Sequence, residues 1–341
     1  MRKAITGFVL LGMLFIGGAI YFWGEGAFWP CEPAGRLLNG GACTHLITGD
    51  IGGAERLPNG NLLVSLGAPE GDSSNAITLA EIPAMGGAVI SETVLRANPV
   101  ETHPLDLAVS PDGEQIAVVQ AFGEGRRQYQ VSVFDRQGAV LVEDLGWLPG
   151  YMAFDADGRL LLHPGALLGE AVNPGYAEAY DLATSTVPQV ANWNELGALF
   201  QKGTTLAYSP DGTVFAQVLD HVESTPFVGL RVGTVGYEDQ PGVLLGASIR
   251  RGCNYSFSDI AFSPDGKRIA AVFDCPDDWG QVSSTLEVWD WSAGRHELSL
   301  PVVNGFSEPF WYDNTAIVAK RYNYVRGGTD LFRIAVPEGG R

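Results

Sequence analysis

Positive charge is scarce in this sequence of 341 residues, in which 21 Lys and Arg residues stand against 39 Asp and Glu residues, and the formal net charge is −18. Binding to nucleic acid needs clustered Lys and Arg side chains that neutralise phosphates. The basic pairs here, Arg126 with Arg127 and Arg250 with Arg251, are short. The charge therefore argues against nucleic acid as a partner, and it disfavours docking on anionic lipid headgroups.

The common catalytic motifs are absent as well. The sequence contains no GxSxG nucleophile elbow, no HExxH zinc motif, no Walker loop and no dinucleotide-binding GxGxxG fingerprint. It therefore offers no local motif for a serine hydrolase, a zinc peptidase or a nucleotide-dependent enzyme.

Cysteine is rare, and the four cysteines, Cys31, Cys43, Cys253 and Cys275, show no CxxC spacing. A zinc site is the competing interpretation, but the five histidines are scattered along the chain. An even number of cysteines in an oxidising compartment favours disulfides. We predict the pairs Cys31–Cys43 and Cys253–Cys275, because each pair flanks a short loop or one hairpin.

A single hydrophobic run is long enough to cross a membrane. Residues 4–23 carry no charge over 20 positions and follow Arg2 and Lys3. At about 1.5 Å per residue this run matches a bilayer core of roughly 30 Å. Basic residues before the run keep the N-terminus in the cytoplasm, so the rest of the chain is expected on the extracytoplasmic side, periplasmic or extracellular. We predict a transmembrane signal anchor, with a cleaved signal peptide as the alternative.

A glycine-containing turn recurs through the rest of the chain. Its clearest copy is IAFSPDGKRIAAVF from Ile260, in which Pro264 presets φ, Asp265 can bond to the backbone two residues on, and Gly266 accepts a positive φ. The flanks are rich in β-branched and aromatic residues, which predicts a β-hairpin. Six copies follow one another at intervals of 45 to 54 residues. Their turn residues are Gly60, Gly113, Gly158, Gly212, Gly266 and Asn314.

Each repeat has room for four strands. Three of the hairpins are followed by QVSVFDRQGAVLVEDL, EAYDLATSTVPQV and TLEVWDWSAGRHELSL, and each of these segments has the pattern of a strand, a turn and another strand. Units of this length and composition indicate propeller blades rather than helical solenoid repeats. The sequence predicts an all-β fold, a six-bladed β-propeller of four-stranded blades preceded by one N-terminal transmembrane helix.

The SPDG hairpins resemble the repeats of TolB-like six-bladed β-propellers. The segment LEVWDWSAGR from Leu286 is similar to the third strand and turn of WD-repeat proteins, but the Gly-His dipeptide usual in those repeats is missing. The TolB-like resemblance is therefore the closer one. It implies an architecture used to organise cell-envelope complexes, and it implies no particular activity.

The predicted domain limits follow from these features. Residues 1–3 are cytoplasmic, 4–23 the anchor, 24–43 a linker, 44–336 the propeller and 337–341 a tail. The last repeat has room for three strands, and CTHLITGD from Cys43 precedes the first hairpin. We expect this segment to supply the outer strand of the last blade, because that arrangement leaves no sheet edge open.

Candidate ligand-binding residues lie where the innermost strand of each blade would start, five residues before the position of the turn proline. They are Gly53, Asp106, Tyr151, Thr205, Asp259 and Ser307. In one interpretation Asp106 and Asp259, with His103 and Glu308, hold a cation such as calcium or a polar ligand in a central channel. In the other, each Asp accepts backbone N–H groups and ties neighbouring blades together. No other cofactor is predicted.

Two functions remain open. The first is a membrane-tethered extracytoplasmic interaction module that binds a protein or a cell-envelope component through loops such as GEGRRQ and EAVNPGY and catalyses no reaction. The second is a metal-assisted hydrolase or lactonase with a cation in the channel. The missing catalytic motifs and the tether favour the first.

Overall fold

The computed structural model is all-β in the part of the chain that it describes. That part comprises residue 31 and residues 43–68, 76–95, 102–122, 128–145, 151–163, 178–182, 202–203, 206–219, 229–237, 241–246, 256–276, 282–303, 306–322 and 328–337. The predicted anchor, residues 4–23, and Cys253 lie outside these ranges. Among the described residues no helix has the length and apolar character needed to cross a membrane.

The described residues form a regular series of strands joined mainly by tight turns. In chain order the strands are β1 (Cys43–Gly49), β2 (Ile51–Arg56), β3 (Leu62–Leu66), β4 (Thr78–Ile82), β5 (Ser91–Val94), β6 (Thr102–Val109), β7 (Gln115–Phe122), β8 (Gln128–Asp135), β9 (Val140–Val142), β10 (Tyr151–Phe154), β11 (Leu160–His163), β12 (Glu178–Tyr180), β13 (Lys202–Gly203), β14 (Leu206–Tyr208), β15 (Val214–Leu219), β16 (Gly229–Thr234), β17 (Val243–Gly246), β18 (Ser256–Phe262), β19 (Arg268–Pro276), β20 (Val282–Asp290), β21 (Arg295–Val303), β22 (Phe306–Asp313), β23 (Ala316–Tyr322) and β24 (Thr329–Ala335).

The strands assemble into six antiparallel sheets in chain order, a β-propeller-like fold whose sheets are called blades 1 to 6 here. Blades 1, 2 and 4 are the four-stranded meanders β2–β5, β6–β9 and β14–β17. Blade 5 contains β18–β21 and gains the short β13 beside β18. Blade 3 shows three strands, β10–β12, in its described part, so its predicted fourth strand falls outside the described residues.

The predicted closure of the last blade is confirmed. Strand β1 pairs antiparallel with β24, so blade 6 has the order β1-β24-β23-β22 and combines the first strand with the last three. The Thr48 hydroxyl donates to Asp330 Oδ1 over 2.5 Å, and Arg321 Nη2 lies 3.1 Å from Asp330 Oδ2. Because Asp330 is buried, these contacts supply the partners that its carboxylate needs.

The predicted disulfide between Cys31 and Cys43 is present, with the two Cα atoms 5.0 Å apart. Both cysteines are buried in an apolar cluster with Phe306, Trp311 and other residues of blades 5 and 6. The disulfide therefore fixes Cys31 to the start of β1 within the packed interior. The second predicted pair, Cys253 with Cys275, cannot be compared because Cys253 lies outside the described residues.

The hairpin turns confirm the chemistry expected of the SPDG motif and add a role for its serine. In blade 5, Lys267 N donates to Asp265 Oδ1 over 3.1 Å, and Gly266 has a φ of 68°. The Ser263 hydroxyl donates to the same carboxylate over 2.7 Å and accepts from Arg268 N over 2.9 Å. The serine thus links both arms of the turn. In the equivalent turn of blade 2, the serine hydroxyl is the main reason that the pKa of Asp112 is lowered.

The core lies between adjacent blades rather than in one central cluster. Side chains of blades 1 and 2 form one apolar cluster, those of blades 2 and 3 a second, those of blades 4 and 5 a third, and those of blades 5 and 6 a fourth. A further cluster joins blade 6 to blade 1. Trp289 is buried in the cluster between blades 4 and 5. Each blade is therefore stabilised by its neighbours.

Candidate functional site

The first strands of neighbouring blades approach each other closely at the edge where these strands start. A Cβ atom added to Gly52 would lie 2.4 Å from the carbonyl carbon of Pro104, and one added to Gly53 would lie 2.6 Å from Leu107 N. Only glycine allows β2 and β6 to come this near, since a side chain would meet backbone atoms. The candidates Gly53 and Asp106 therefore lie where these two first strands meet.

A β-bulge precedes the candidate position in three of these inner strands. The pairing register shifts between Ile51 and Gly53 in β2, between Pro104 and Asp106 in β6, and between Phe257 and Asp259 in β18. A bulge adds one residue to a strand and re-aims the side chains next to it. In three blades the candidate residue thus directly follows the same kind of irregularity in strand pairing. The alternation of polar and apolar residues in the sequence did not predict it.

Asp259 connects blade 5 to blade 6. Its Oδ2 accepts a hydrogen bond from Glu308 N over 2.8 Å. Glu308 has a φ of 47° and is the one non-glycine residue with a positive φ in the described part of the chain. A non-glycine residue in this conformation is strained. The Asp259 carboxylate therefore holds a strained backbone position in the next blade.

Lys320 connects blade 6 to blade 1. Its side chain is buried, its Nζ donates to the carbonyl oxygen of Gly52, and it forms an ion pair with the Glu308 carboxylate. Lys320 lies opposite Ser307 in the β22–β23 pair. A buried ammonium group needs such partners, because its desolvation is costly.

Asp50 connects blade 1 to blade 2. Its Oδ2 lies 2.9 Å from His103 Nδ1. Asp106, the candidate on β6, accepts a hydrogen bond at Oδ1 from Leu107 N over 2.8 Å. We call Asp50, His103, Asp259, Glu308 and Lys320 the inner-strand polar network. It ties four consecutive blades, 5, 6, 1 and 2, together along one edge.

The other predicted site residues are placed only in part. Tyr151 begins β10 and pairs with His163 through the backbone, but its side chain is not described. Thr205 lies outside the described residues. Asp106 and Asp259 belong to blades 2 and 5, which are three blades apart in the order of the six. Within the described ranges, no group of three or more His, Cys, Asp or Glu side chains could hold a metal ion. The cation site remains a prediction from the sequence.

A second polar cluster lies at the opposite edge, among the hairpin turns. Glu81 Oε1 accepts from Asn59 Nδ2 over 2.9 Å and from Asn61 Nδ2 over 2.6 Å, and the same carboxylate forms an ion pair with Arg136 of blade 2. Burial raises the pKa of Glu81, but the two amide hydrogen bonds and the Arg136 charge outweigh it, so the pKa is lowered overall. This cluster joins blades 1 and 2.

Comparisons with known proteins give no family. No family model and no curated protein matches the chain. Similar solved structures include hydrazine synthase of Kuenenia stuttgartiensis, with 17% identity and a TM-score of 0.45 over 81% of this chain and 75% of that chain. They also include an oligogalacturonate lyase of Vibrio parahaemolyticus, with 12% identity and a TM-score of 0.44 over 84% of this chain and 78% of that chain. A glucose dehydrogenase shows 12% identity and a TM-score of 0.47 over 86% and 99% of the two chains.

Proposed function

We propose that the chain is a membrane-tethered, extracytoplasmic β-propeller with TolB-like repeats that serves as an interaction module for a protein or a cell-envelope component and catalyses no reaction. The supporting observation is that the inner-strand polar network is engaged within the fold. Asp259 binds the backbone of blade 6, Lys320 binds Gly52 and Glu308, and Asp50 binds His103. For Asp259 this contact supports the second of the two interpretations, in which the carboxylate accepts a backbone N–H group and ties neighbouring blades.

The strand order supports a recognition surface at the edge of the blades opposite the hairpin turns. In an antiparallel meander the short hairpin turns lie at one edge, so the connections from second to third strands leave from the other edge. Residues 164–177 connect β11 to β12, and residues 220–228 connect β15 to β16. Long connections over a rigid scaffold carry recognition in many proteins. They leave from the edge that carries the inner-strand polar network.

The disulfide supports the extracytoplasmic location. Disulfides persist in oxidising compartments and are rare in the cytosol. The Cys31–Cys43 bond lies shortly after the apolar run of residues 4–23 and before the first strand. A tether that crosses the membrane from a cytoplasmic N-terminus would place this bond on the oxidising side.

Affinity purification tests the proposal. Tagged full-length protein would be isolated from membranes in mild detergent, and co-purifying proteins identified by mass spectrometry, beside a variant lacking GEGRRQ (residues 123–128) and EAVNPGY (residues 170–176). We expect a stoichiometric partner that is lost with the two loops. A matched control shortens a hairpin-edge turn, SAG at residues 292–294, and should retain the partner. If no partner is retained under several conditions, the metal-assisted hydrolase or lactonase becomes the better hypothesis, with Asp106 and Asp259 as the first residues to change.

A further inference from the structure

The turn between β4 and β5 of blade 1 exposes an unusual amount of apolar surface. Residues 83–90, PAMGGAVI, contain no charged residue and are called the apolar turn here. Met85 is 67% exposed and Ile90 is 53% exposed, and Val94 on the following strand is 63% exposed. Isolated exposed hydrophobic residues are common, but a contiguous apolar patch marks an interaction surface.

Exposed apolar side chains also lie on blade 2. A Cβ atom added to Gly138, in the turn between β8 and β9, would lie 2.9 Å from Thr93 Cγ2, so this turn packs against β5. Val140 and Leu141, which follow it on β9, are both exposed. The outer strands of these two neighbouring blades therefore both carry exposed apolar side chains.

The apolar turn lies beside the point where the N-terminal segment joins the fold. A Cβ atom added to Gly86 would lie 3.1 Å from the carbonyl oxygen of His45 and 3.3 Å from Thr44 Cγ2. Thr44 directly follows Cys43, which is bonded to Cys31. Cys31 therefore lies at the same edge of the fold as the apolar turn.

The connection to the predicted anchor is short. Residues 24–30 separate the end of the apolar run from Cys31, and they include Phe28 and Trp29. Even fully extended, the chain from Trp23 to Cys31 spans at most roughly 30 Å. Aromatic residues at such positions favour the membrane–water interface. A membrane-spanning segment at residues 4–23 would thus hold the edge that carries Cys31 close to the lipid surface.

We propose that the apolar turn of blade 1 inserts into the interface of the membrane that holds the tether, so that the domain rests on lipid through its hairpin edge near blades 6, 1 and 2. This inference rests on the tether of the proposed function. The contact is apolar and suits zwitterionic lipid, since the net charge of −18 gives no attraction to anionic headgroups. The edge with the inner-strand polar network then faces away from the membrane, toward partners.

Site-specific fluorescence in the full-length protein tests this contact. Met85→Cys is labelled with an environment-sensitive dye, without reduction of the native disulfide, and the protein is reconstituted in phosphatidylcholine vesicles that contain brominated lipid. The matched control is Leu244→Cys on β17 of blade 4, where the leucine is 58% exposed. We expect a blue shift and strong quenching at position 85, and an emission at position 244 that matches the lipid-free level. If Met85→Cys fails to fold, Ile90→Cys serves as the reporter instead.

The outcomes separate the lipid contact from the tether. If alkaline washing leaves the protein in the vesicles but both labels report water, the lipid contact is wrong and the tether stands. If alkaline washing removes the protein, the tether is wrong and the lipid contact falls with it. If the signal at position 85 rises with the protein-to-lipid ratio, a second copy covers the apolar turn and the lipid contact is overturned.

Discussion

The role of Asp259 can be decided by comparing two substitutions. Asp259→Ala removes the acceptor of the Glu308 N–H group, whereas Asp259→Asn keeps an oxygen at the same place. A hydrogen bond to a charged group contributes about 1.5–3 kcal/mol, and the lower part of this range applies because Asp259 is partly exposed. We therefore expect Asp259→Ala to lower the free energy of unfolding by about 2 kcal/mol and Asp259→Asn by less than about 1 kcal/mol.

The strained backbone of Glu308 provides an internal check. A non-glycine residue in the left-handed region costs about 1–2 kcal/mol, so Glu308→Gly should relieve about 1 kcal/mol of strain while its N–H group remains a donor. Glu308→Gly also removes one of the two partners of the buried Lys320 ammonium group. The hydrogen bond from Lys320 to the Gly52 carbonyl oxygen remains, so the loss of the ion pair offsets part of this gain. We expect Asp259→Ala combined with Glu308→Gly to be more stable than Asp259→Ala alone.

The assay is urea denaturation of the four proteins, followed by tryptophan fluorescence, with and without calcium. If Asp259 ties the blades, calcium leaves the midpoint unchanged and the asparagine variant stays close to the parent protein. Equal losses in the alanine and asparagine variants, together with stabilisation of the parent protein by calcium, would refute this role and favour a cation site.

Three further predictions concern stability. The pKa of Glu81 lies below its ordinary value of 4.5. The ionised Glu81 therefore contributes its full stabilisation above pH 4.5, and this contribution is lost as the pH falls through the lowered pKa. Glu81→Gln should flatten the acid side of the curve of unfolding free energy against pH, measured by urea denaturation. Ser263→Ala should lower the free energy of unfolding by about 1–2 kcal/mol, whereas Ser292→Ala in an exposed turn should change it by less than about 0.5 kcal/mol; equal effects would contradict the turn role. Replacing Cys31 and Cys43 by Ser should lower the free energy of unfolding by about 3 kcal/mol. Reductant should lower the stability of the parent protein through this bond, and this part of its effect should be absent in the double variant.

The fold was largely predictable because its information is local and repeated. Proline, aspartate and glycine within four residues define the hairpins at Gly113, Gly212 and Gly266, and the other three copies keep part of this pattern. Six copies at a regular spacing predict the number of sheets. The closure by β1 was predictable for a different reason, since the last repeat lacked a strand and an open edge is unfavourable. The serine of the SPDG turn was missed, although its recurrence was visible in three copies.

The candidate site was less predictable because its contacts are distant in sequence. Lys320 binds Gly52, which is 268 residues away, and no local sequence pattern predicts such a contact. A signal was nevertheless present, because Lys320 and Arg321 interrupt the apolar strand AIVAKRY, and a charge inside a buried strand requires a partner. The bulges before Gly53, Asp106 and Asp259 were not visible, since an inserted residue leaves the hydrophobic pattern of a short strand nearly unchanged.

The pairing of β1 with β24 constrains the order of events during biosynthesis. The ribosome produces β1 early and β24 near the end, and the segments between them can fold as they emerge. Blade 6 must wait, because its outermost strand was made first and its remaining strands last. Until then, β1 presents an unpaired edge that invites aggregation or capture by chaperones. A chain that stops before β24 would therefore lack a complete sixth blade and would leave β1 without its partner strand.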